Sequence, residues 1–428
     1  MIVVVALAVL LALLLLSIPV AATLAALGLS LGSFFSSFPL YRALGEISWT
    51  AGTDFLLLAI PLFVLLGEIL LRAGIAERTY RALFLWLSWL PGGLMHANIA
   101  TSAMFAATSG SSVATAATIT TVALPQARKY GYAESLFAGS IAAGGTLGIL
   151  IPPSINLIVY GFLTNVSIPR LFLAGIVPGI LLTLLFMACI IILCLINPKL
   201  AGQPLETTWA QRIESLKDLL PVIFIFIIVI GSIYAGFATP TESAALGVIA
   251  ALVLTAFYRK ISLTMLREVV EGTMRTTAMI MLILLAAYFL NFILASIGLT
   301  DMLAEFVNSL GMSPMATMAV IICMYLVLGF FVETLSLMVI TIPIVAPVVT
   351  GLGFDPIWFG ILLILLIEMA LITPPVGLNL YVVQGIRNRG SISEVMIGSL
   401  PFVAMIMVMI ALMLIFPDMV LILAKYVN

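Results

Sequence analysis

Two Pro-Pro pairs, Pro152-Pro153 and Pro374-Pro375, lie inside long apolar stretches, and the chain around them repeats. Each pair follows a glycine (Gly131, Gly353) by 21 residues, and each glycine follows a proline (Pro125, Pro347) by six, so all these positions recur at an offset of 222. At that offset Tyr132 matches Phe354 and Phe137 matches Phe359. Further upstream Pro91 matches Pro314 and Gly74-Ile75 matches Gly298-Leu299, at offsets of 223 and 224. Proline lacks a backbone donor and its ring clashes with the preceding turn, so a helix running through either pair must be interrupted. The pattern describes two copies of one unit, each built around a broken helix.

The medium follows from composition. Of the 428 residues, 64% are hydrophobic and 8% are charged, which leaves too little polar surface for water to be the solvent. The net charge of -1 argues against nucleic acid as a partner. Cys189, Cys194 and Cys323 lie in apolar stretches without metal-ligand spacing and read as packing residues. Residues 1–29 are uncharged, with neither the short apolar region nor the preceding positive charge of a signal peptide, and read as a first membrane helix. Further spans are expected over 55–71, 135–163, 171–197, 219–237, 244–257, 276–297, 357–385 and 397–416.

Loop charge sets direction. With the Lys and Arg clusters placed inside, residues 72–81 and 126–134 both face the cytoplasm, so 92–127 must enter and return. Residues 298–312 and 351–356 both face outward, so 313–349 does the same from the other side. Only Arg42, Arg170 and Lys425 fall against the rule. The loop 72–81 holds three Arg and one Glu, whereas its counterpart 298–312 holds Asp301 and Glu305 and no base. Matching loops of opposite bias are the mark of copies inserted in opposite directions, an architecture of secondary transporters. The organisation expected is an N-terminal helix and scaffold over 1–53, a first repeat over 54–163, linking scaffold helices over 164–275, a second repeat over 276–385 and a C-terminal helix over 386–428.

Four breaks carry the chemistry. Thr108-Ser109-Gly110-Ser111-Ser112 and Gly329-Phe330-Phe331-Val332-Glu333-Thr334 read as tips of re-entrant helical hairpins. Gly144 to Pro153 and Thr373 to Asn379 read as interruptions of the two broken helices. Unwound backbone is tolerated in lipid only where it lines a site. Freed carbonyls and hydroxyls suit a hard cation such as Na⁺, and helix N-termini suit an anion. Small residues also permit close helix packing, which alone would explain one such cluster. Arg and Lys are missing from the middle of both repeats, so an anionic substrate must be met by helix ends and bound Na⁺. Glu333 and Glu368, and with less weight Glu68 and Glu242, are candidate intramembrane carboxylates for cation or proton, with capping as the plain alternative.

Residues 108–125 (TSGSSVATAATITTVALP), 151–161 (IPPSINLIVYG), 171–179 (LFLAGIVPG), 239–245 (TPTESAA) and 373–381 (TPPVGLNLY) closely resemble the large membrane subunit of tripartite ATP-independent periplasmic transporters, over about residues 54–416. The resemblance implies an all-α polytopic protein of the bacterial inner membrane, with inverted repeats, two re-entrant hairpins and two discontinuous helices in an elevator-type fold. It implies Na⁺-driven uptake of a small organic acid delivered by a periplasmic substrate-binding protein, with a separate small membrane subunit as partner. The chain departs from the family's pattern in having Thr115 where an acidic residue often follows the first tip, a Gly-rich segment before Pro152, and Glu368 at a position that is often neutral.

Pairing each tip with its own break gives two expected Na⁺ sites. One uses Ser109, Ser111, Gly145 and Gly148, and the other Gly329, Thr334, Thr373 and Gly377. The organic anion is expected between the tips, near Ser112, Asn156, Glu333 and Asn379. Other readings are an ion-coupled carboxylate carrier that needs no binding protein, and a channel, which the central concentration of polar residues disfavours. An intramembrane enzyme is not supported, because His96 is the only histidine and no His-Glu-x-x-His motif exists.

Overall fold

The structure, a computed structural model, describes residues 8–10, 12, 13, 16, 18–203, 207–299, 302, 305, 309, 311–330 and 332–426, and only the backbone of 107–109. Among these residues every regular element is helical. In chain order the principal helices are α1 (Val20–Phe35), α2 (Leu44–Gly52), α3 (Ala59–Arg72), α4 (Ile75–Leu87), α5 (Leu94–Ser109), α6 (Ser112–Tyr130), α7 (Glu134–Leu150), α8 (Ile155–Thr164) and α9 (Ile168–Ile196). They continue as α10 (Trp209–Ser215), α11 (Leu220–Tyr234), α12 (Pro240–Phe257), α13 (Leu263–Ser296), α14 (Pro314–Leu328), α15 (Thr334–Gly351), α16 (Pro356–Ile372), α17 (Leu378–Arg387) and α18 (Ile392–Ile415). Seven spans among the described residues are long and apolar enough to cross a membrane, or eight if the bent pair Trp209–Asp218 and Leu220–Tyr234 is one span.

The sequence repeat is a structural repeat. Helices α6, α7 and α8 recur as α15, α16 and α17, with starts offset by 222, 222 and 223 residues. The copies run in opposite directions. At one end Glu134, which opens α7, meets Arg387, which closes α17, at 3.0 Å. At the other end the Tyr160 hydroxyl on α8 donates to the carbonyl of Pro356, which opens α16, at 2.5 Å. The start of each broken span therefore lies beside the end of the other.

The first predicted hairpin is an antiparallel helix pair. Asn98 on α5 donates to Ser140 on α7 at 2.9 Å, and one turn on, Gly144 faces Ser102. On the returning arm Gly145 faces Ala116 and Gly148 faces Ser111 and Ser112. Helix α5 therefore runs with α7 and α6 runs against it, with α7 packed on both arms. A Cβ at Gly148 would come within 2.8 Å of the Ser111 carbonyl oxygen, so the glycine is what lets the tip approach. In the second hairpin the Tyr325 hydroxyl on α14 donates to Thr341 Oγ1 on α15 at 2.6 Å.

Three expectations change. The first helix is not continuous over 1–29: Ile18 and Pro19 are non-helical, and α1 starts at Val20 and runs on to Phe35. Pro19 has no N–H for a helix continuing from upstream, and it suits the position before a new helix start. Residues 1–7, and Asp301 of the acidic outer loop, lie outside the described residues. The first break is also shorter than Gly144 to Pro153, because α7 stays helical through Leu150 and only 151–154 are irregular. Glycine weakens a helix without ending it, whereas the proline pair ends it. Finally, the span expected over 276–297 is the second part of a single 34-residue helix, α13, so the boundary expected at 275/276 falls inside a helix. Each Pro-Pro pair has a cis peptide bond.

Candidate functional site between the two hairpin tips

A cavity of ≈ 710 Å³ lies where both tips and both breaks meet. The first tip contributes Gly110, Ser111 and Ser112, and the second Glu333, Thr334 and Ser336. The helix ends that flank the breaks contribute Ile149, Ile155, Asn156, Leu371 and Leu378, and helices α1, α3 and α13 close the far wall. Glu68 and Glu333 are the only charged residues among the described lining, and both are acidic.

The first tip is built with neutral groups. Helix α5 ends at Gly110 with φ +60°, a left-handed conformation that favours glycine. Ser111 then caps α6, accepting from the Ala114 N–H at 3.4 Å. Gly110 lies against the first break, since a Cβ there would be 3.2 Å from the Pro153 carbonyl oxygen. The break is capped in the same way by Ser154, whose hydroxyl accepts from the Leu157 N–H at 3.4 Å and donates to the Ile149 carbonyl at 2.5 Å.

The second tip is built around a carboxylate. Glu333 caps α15, accepting from the N–H groups of Leu335 at 3.1 Å and Ser336 at 3.0 Å, and from the hydroxyls of Thr334 and Ser336, both at 2.9 Å. Capping, the plain alternative for this residue, is thus the role its geometry displays. Gly329 packs on Ala370, one turn before the second break.

Several other expected residues are placed differently from one another. Ser111 and Gly148 adjoin, but Gly145 lies deeper in α7, beside Ala116 and Asn379. Gly148 falls in the last turn, where Pro152, four residues on, has no N–H to give its carbonyl, whereas Gly145 precedes it and its carbonyl stays in the helix ladder. The Ser109 side chain lies outside the described atoms. Thr373 Oγ1 donates to the Met369 carbonyl at 2.5 Å, which leaves its lone pairs available, and Gly377 opens α17 with φ +46°. Asn156 and Asn379 are equivalent, each the second residue of its half-helix. Asn156 lines the cavity with its Nδ2 unpartnered. Asn379 is buried beside the first tip, donating from Nδ2 to Ser112 Oγ at 2.8 Å and to the Ala142 carbonyl at 3.1 Å. A carbonyl only accepts, so the amide orientation is set and Oδ1 is the unpartnered atom.

The remaining candidate carboxylates differ. Glu242 forms a capping box with Thr239 at the start of α12. Glu68 pairs with Arg72, which also bonds Glu268 at 3.2 Å, joining α3 to α13. Glu368 is fully buried in α16 without a hydrogen-bond partner and does not line the cavity. Sequence reasoning missed Ser336 and Ser154. Both were legible as hydroxyls beside a helix start. It also missed Asn98 and Ser102, whose only signal was polarity inside an apolar arm.

The arrangement is that of a polytopic membrane transporter, and comparison with known proteins agrees. The YdaH transporter of Alcanivorax borkumensis shares the fold, with a TM-score of 0.62 at 15% identity over 93% of this chain and 97% of that one. A model of the family described as "Tripartite ATP-independent periplasmic transporter, DctM component" matches residues 7–419. The C4-dicarboxylate TRAP transporter large permease protein DctM of Vibrio cholerae is 36% identical over 368 residues, 81% of each chain. The sialic acid TRAP transporter large permease protein SiaM of the same organism is 32% identical over 378 residues, 87% of each. The chain belongs to the DctM component family of tripartite ATP-independent periplasmic transporters. It is a multi-pass inner-membrane transport subunit and not an enzyme.

Proposed function

We propose that this subunit imports a small organic acid by Na⁺ symport, on delivery by a periplasmic binding protein and together with a small membrane subunit, by elevator-type movement of the hairpin-bearing body. The observation that carries the reading is the convergence of both tips and both breaks on one cavity without a lysine or arginine among its described lining. An organic anion held there needs other positive partners, and helix N-termini with bound Na⁺ supply them. The relatives' names, one for C4-dicarboxylates and one for sialic acid, support a carboxylate substrate class.

The orphaned atoms fit this division. Asn379 Oδ1, an acceptor buried beside Ser112 and Gly145, suits a cation, with Ser109, Ser111 and Gly148 as its neighbours in the first Na⁺ site. Gly329, Thr334, Thr373 and Gly377 supply the second. Asn156 Nδ2, a donor on the cavity wall, suits a carboxylate oxygen, with Ser112 near it. Glu333 holds the second tip in shape beside the anion. The test is uptake in proteoliposomes. The chain with its small subunit, a loaded binding protein and inward Na⁺ should take up substrate, and counterflow should accelerate it. Ser111→Ala and Thr373→Ala should each raise the half-maximal Na⁺ concentration about five- to a hundredfold, as for a lost contact of roughly 1–3 kcal/mol. Full uptake by the chain alone would instead mark a carrier independent of a binding protein.

A further inference from the structure

A second cavity, of ≈ 690 Å³, opens on the outside of the helix bundle between α11 and the end of α12. Its body is apolar, formed by Leu220, Phe224 and Ile227 of α11 and Leu254 and Phe257 of α12. These side chains are poorly covered by protein: Leu220 is 61% exposed, Ile227 60% and Phe257 81%. One end is polar. There Arg78 of α4 lies over the Tyr258 ring, 4.3 Å from its centroid, and 3.5 Å from Asp218, while Lys217 stands beside it. This end lies where α11 begins and α12 ends, on the face that the clustered bases place in the cytoplasm.

We propose that this groove binds an anionic phospholipid of the cytoplasmic leaflet, with an acyl chain lying between α11 and α12 and the phosphate on Arg78 and Lys217. Basic pockets between membrane helices at the cytoplasmic surface have this chemistry. The Tyr258 stack orients Arg78, and Asp218 at 3.5 Å leaves much of the guanidinium fork open to a phosphate. Among the described residues Lys217 pairs with the exposed Glu214, a surface contact that an anionic headgroup displaces easily. Arg81, one turn beyond Arg78, and Arg259 and Lys260, next to Tyr258, have no ion-pair partner among the described residues. Among the charged residues that line the groove, Arg78 and Lys217 stand against Asp218, so its polar end is net positive.

The lining favours lipid over a partner helix. Helices associate in membranes through small residues that let backbones approach. Within this chain, for example, α1 meets α13 where Gly28 and Gly32 receive Phe289 and Ile293. The groove has no Gly, Ala or Ser in its lining, only large side chains loosely spaced around an open slot.

The test uses the complex with its small subunit in nanodiscs of phosphatidylcholine with phosphatidylglycerol titrated in, read by native mass spectrometry of retained lipid and by thermal shift. Arg78→Gln with Lys217→Gln should weaken phosphatidylglycerol binding about fivefold per base removed, while Arg267→Gln, at an exposed pair elsewhere, changes nothing. Ile227→Trp fills the slot without touching charge and should strip the retained phospholipid even if the double variant fails to fold. Ile223→Cys, on the groove, should cross-link to a photoreactive phospholipid. Undiminished preference for phosphatidylglycerol in the double variant, retained lipid in Ile227→Trp, or cross-linking of Ile223→Cys to the small subunit would each overturn the proposal.

Discussion

The first tip reverses the chain over Gly110 and caps its outgoing helix with the neutral hydroxyl of Ser111. The second reverses it after Gly329 and caps the equivalent helix, 222 residues on, with the carboxylate of Glu333. The backbone task is the same: several N–H groups at a helix start need acceptors. The electrostatic result differs. A hydroxyl satisfies a donor and leaves the positive end of the helix available to an anion, whereas a carboxylate cancels it. One fold with two cap chemistries thus gives the two tips different electrostatics, a neutral cap at Ser111 and a charged one at Glu333. The outer frame is asymmetric too. The ends of the antiparallel broken spans are joined by charge on one side, where Arg387 bonds Glu134 and Glu394, and by the Tyr160 hydroxyl on the other.

The largest effect is expected where charge does the joining. Arg387 is 5% exposed, and Arg387→Gln removes the base that bonds Glu394 and one of the three around Glu134, which keeps Arg389 and Arg128, so the purified protein should lose roughly 2–3 kcal/mol. Tyr160→Phe at the opposite end should cost about 1 kcal/mol, the loss of one hydrogen bond. Equal losses in thermal denaturation would remove the contrast between the ends. Next, Asn379→Leu takes the second repeat's amide away from the first tip and leaves Ser112 and the Ala142 carbonyl short of a donor. About 1–3 kcal/mol should be lost, while the equivalent Asn156→Leu, with an unpartnered Nδ2, should change substrate affinity more than stability. A Tm series with a binding titration separates the two.

Smaller effects sharpen the comparison of the tips themselves. Glu333→Gln keeps the shape of the cap but loses its charge, and should cost about 1–2 kcal/mol, against about 1 kcal/mol for Ser111→Ala. With the anion beside Glu333 and Thr334 of the second proposed Na⁺ site bonded to it, Glu333→Gln should raise the half-maximal Na⁺ concentration and shift the apparent substrate affinity. Unchanged Na⁺ dependence and unchanged substrate affinity would mean that the carboxylate serves as a cap alone. The smallest effect belongs to Arg267→Gln, whose partner Glu271 is exposed, and should stay within about 0.5 kcal/mol.

Much of the frame was written along the chain in features that act locally. The prolines end helices where they stand, Gly110 and the following serine make a turn and a cap, and loop charges separate the two directions. These signals survive without tertiary information because each works within a few residues of itself. The same locality explains the misreadings. Glycine content placed the first break too early, since a glycine's helix cost is small beside the packing of α7 between the arms of its hairpin. The mixed composition of 263–297 likewise hid a single long helix whose first turns are polar because they leave the apolar layer.

Sequence by itself determined that the chain lives in a membrane, that it is a duplicated unit with opposed copies, and that each copy has one tip and one broken helix. Hydropathy, loop charge and proline chemistry are properties of single residues and short windows, so they can be read in a line. Only tertiary structure decided that Asn379 bonds Ser112 across 267 positions, that Arg387 meets Glu134, and that Glu333 turns inward on its own helix end while Glu368 remains buried without a partner. Those outcomes depend on which helices the lipid-buried chain packs side by side, and on how each buried polar atom finds its acceptor or donor once they are packed.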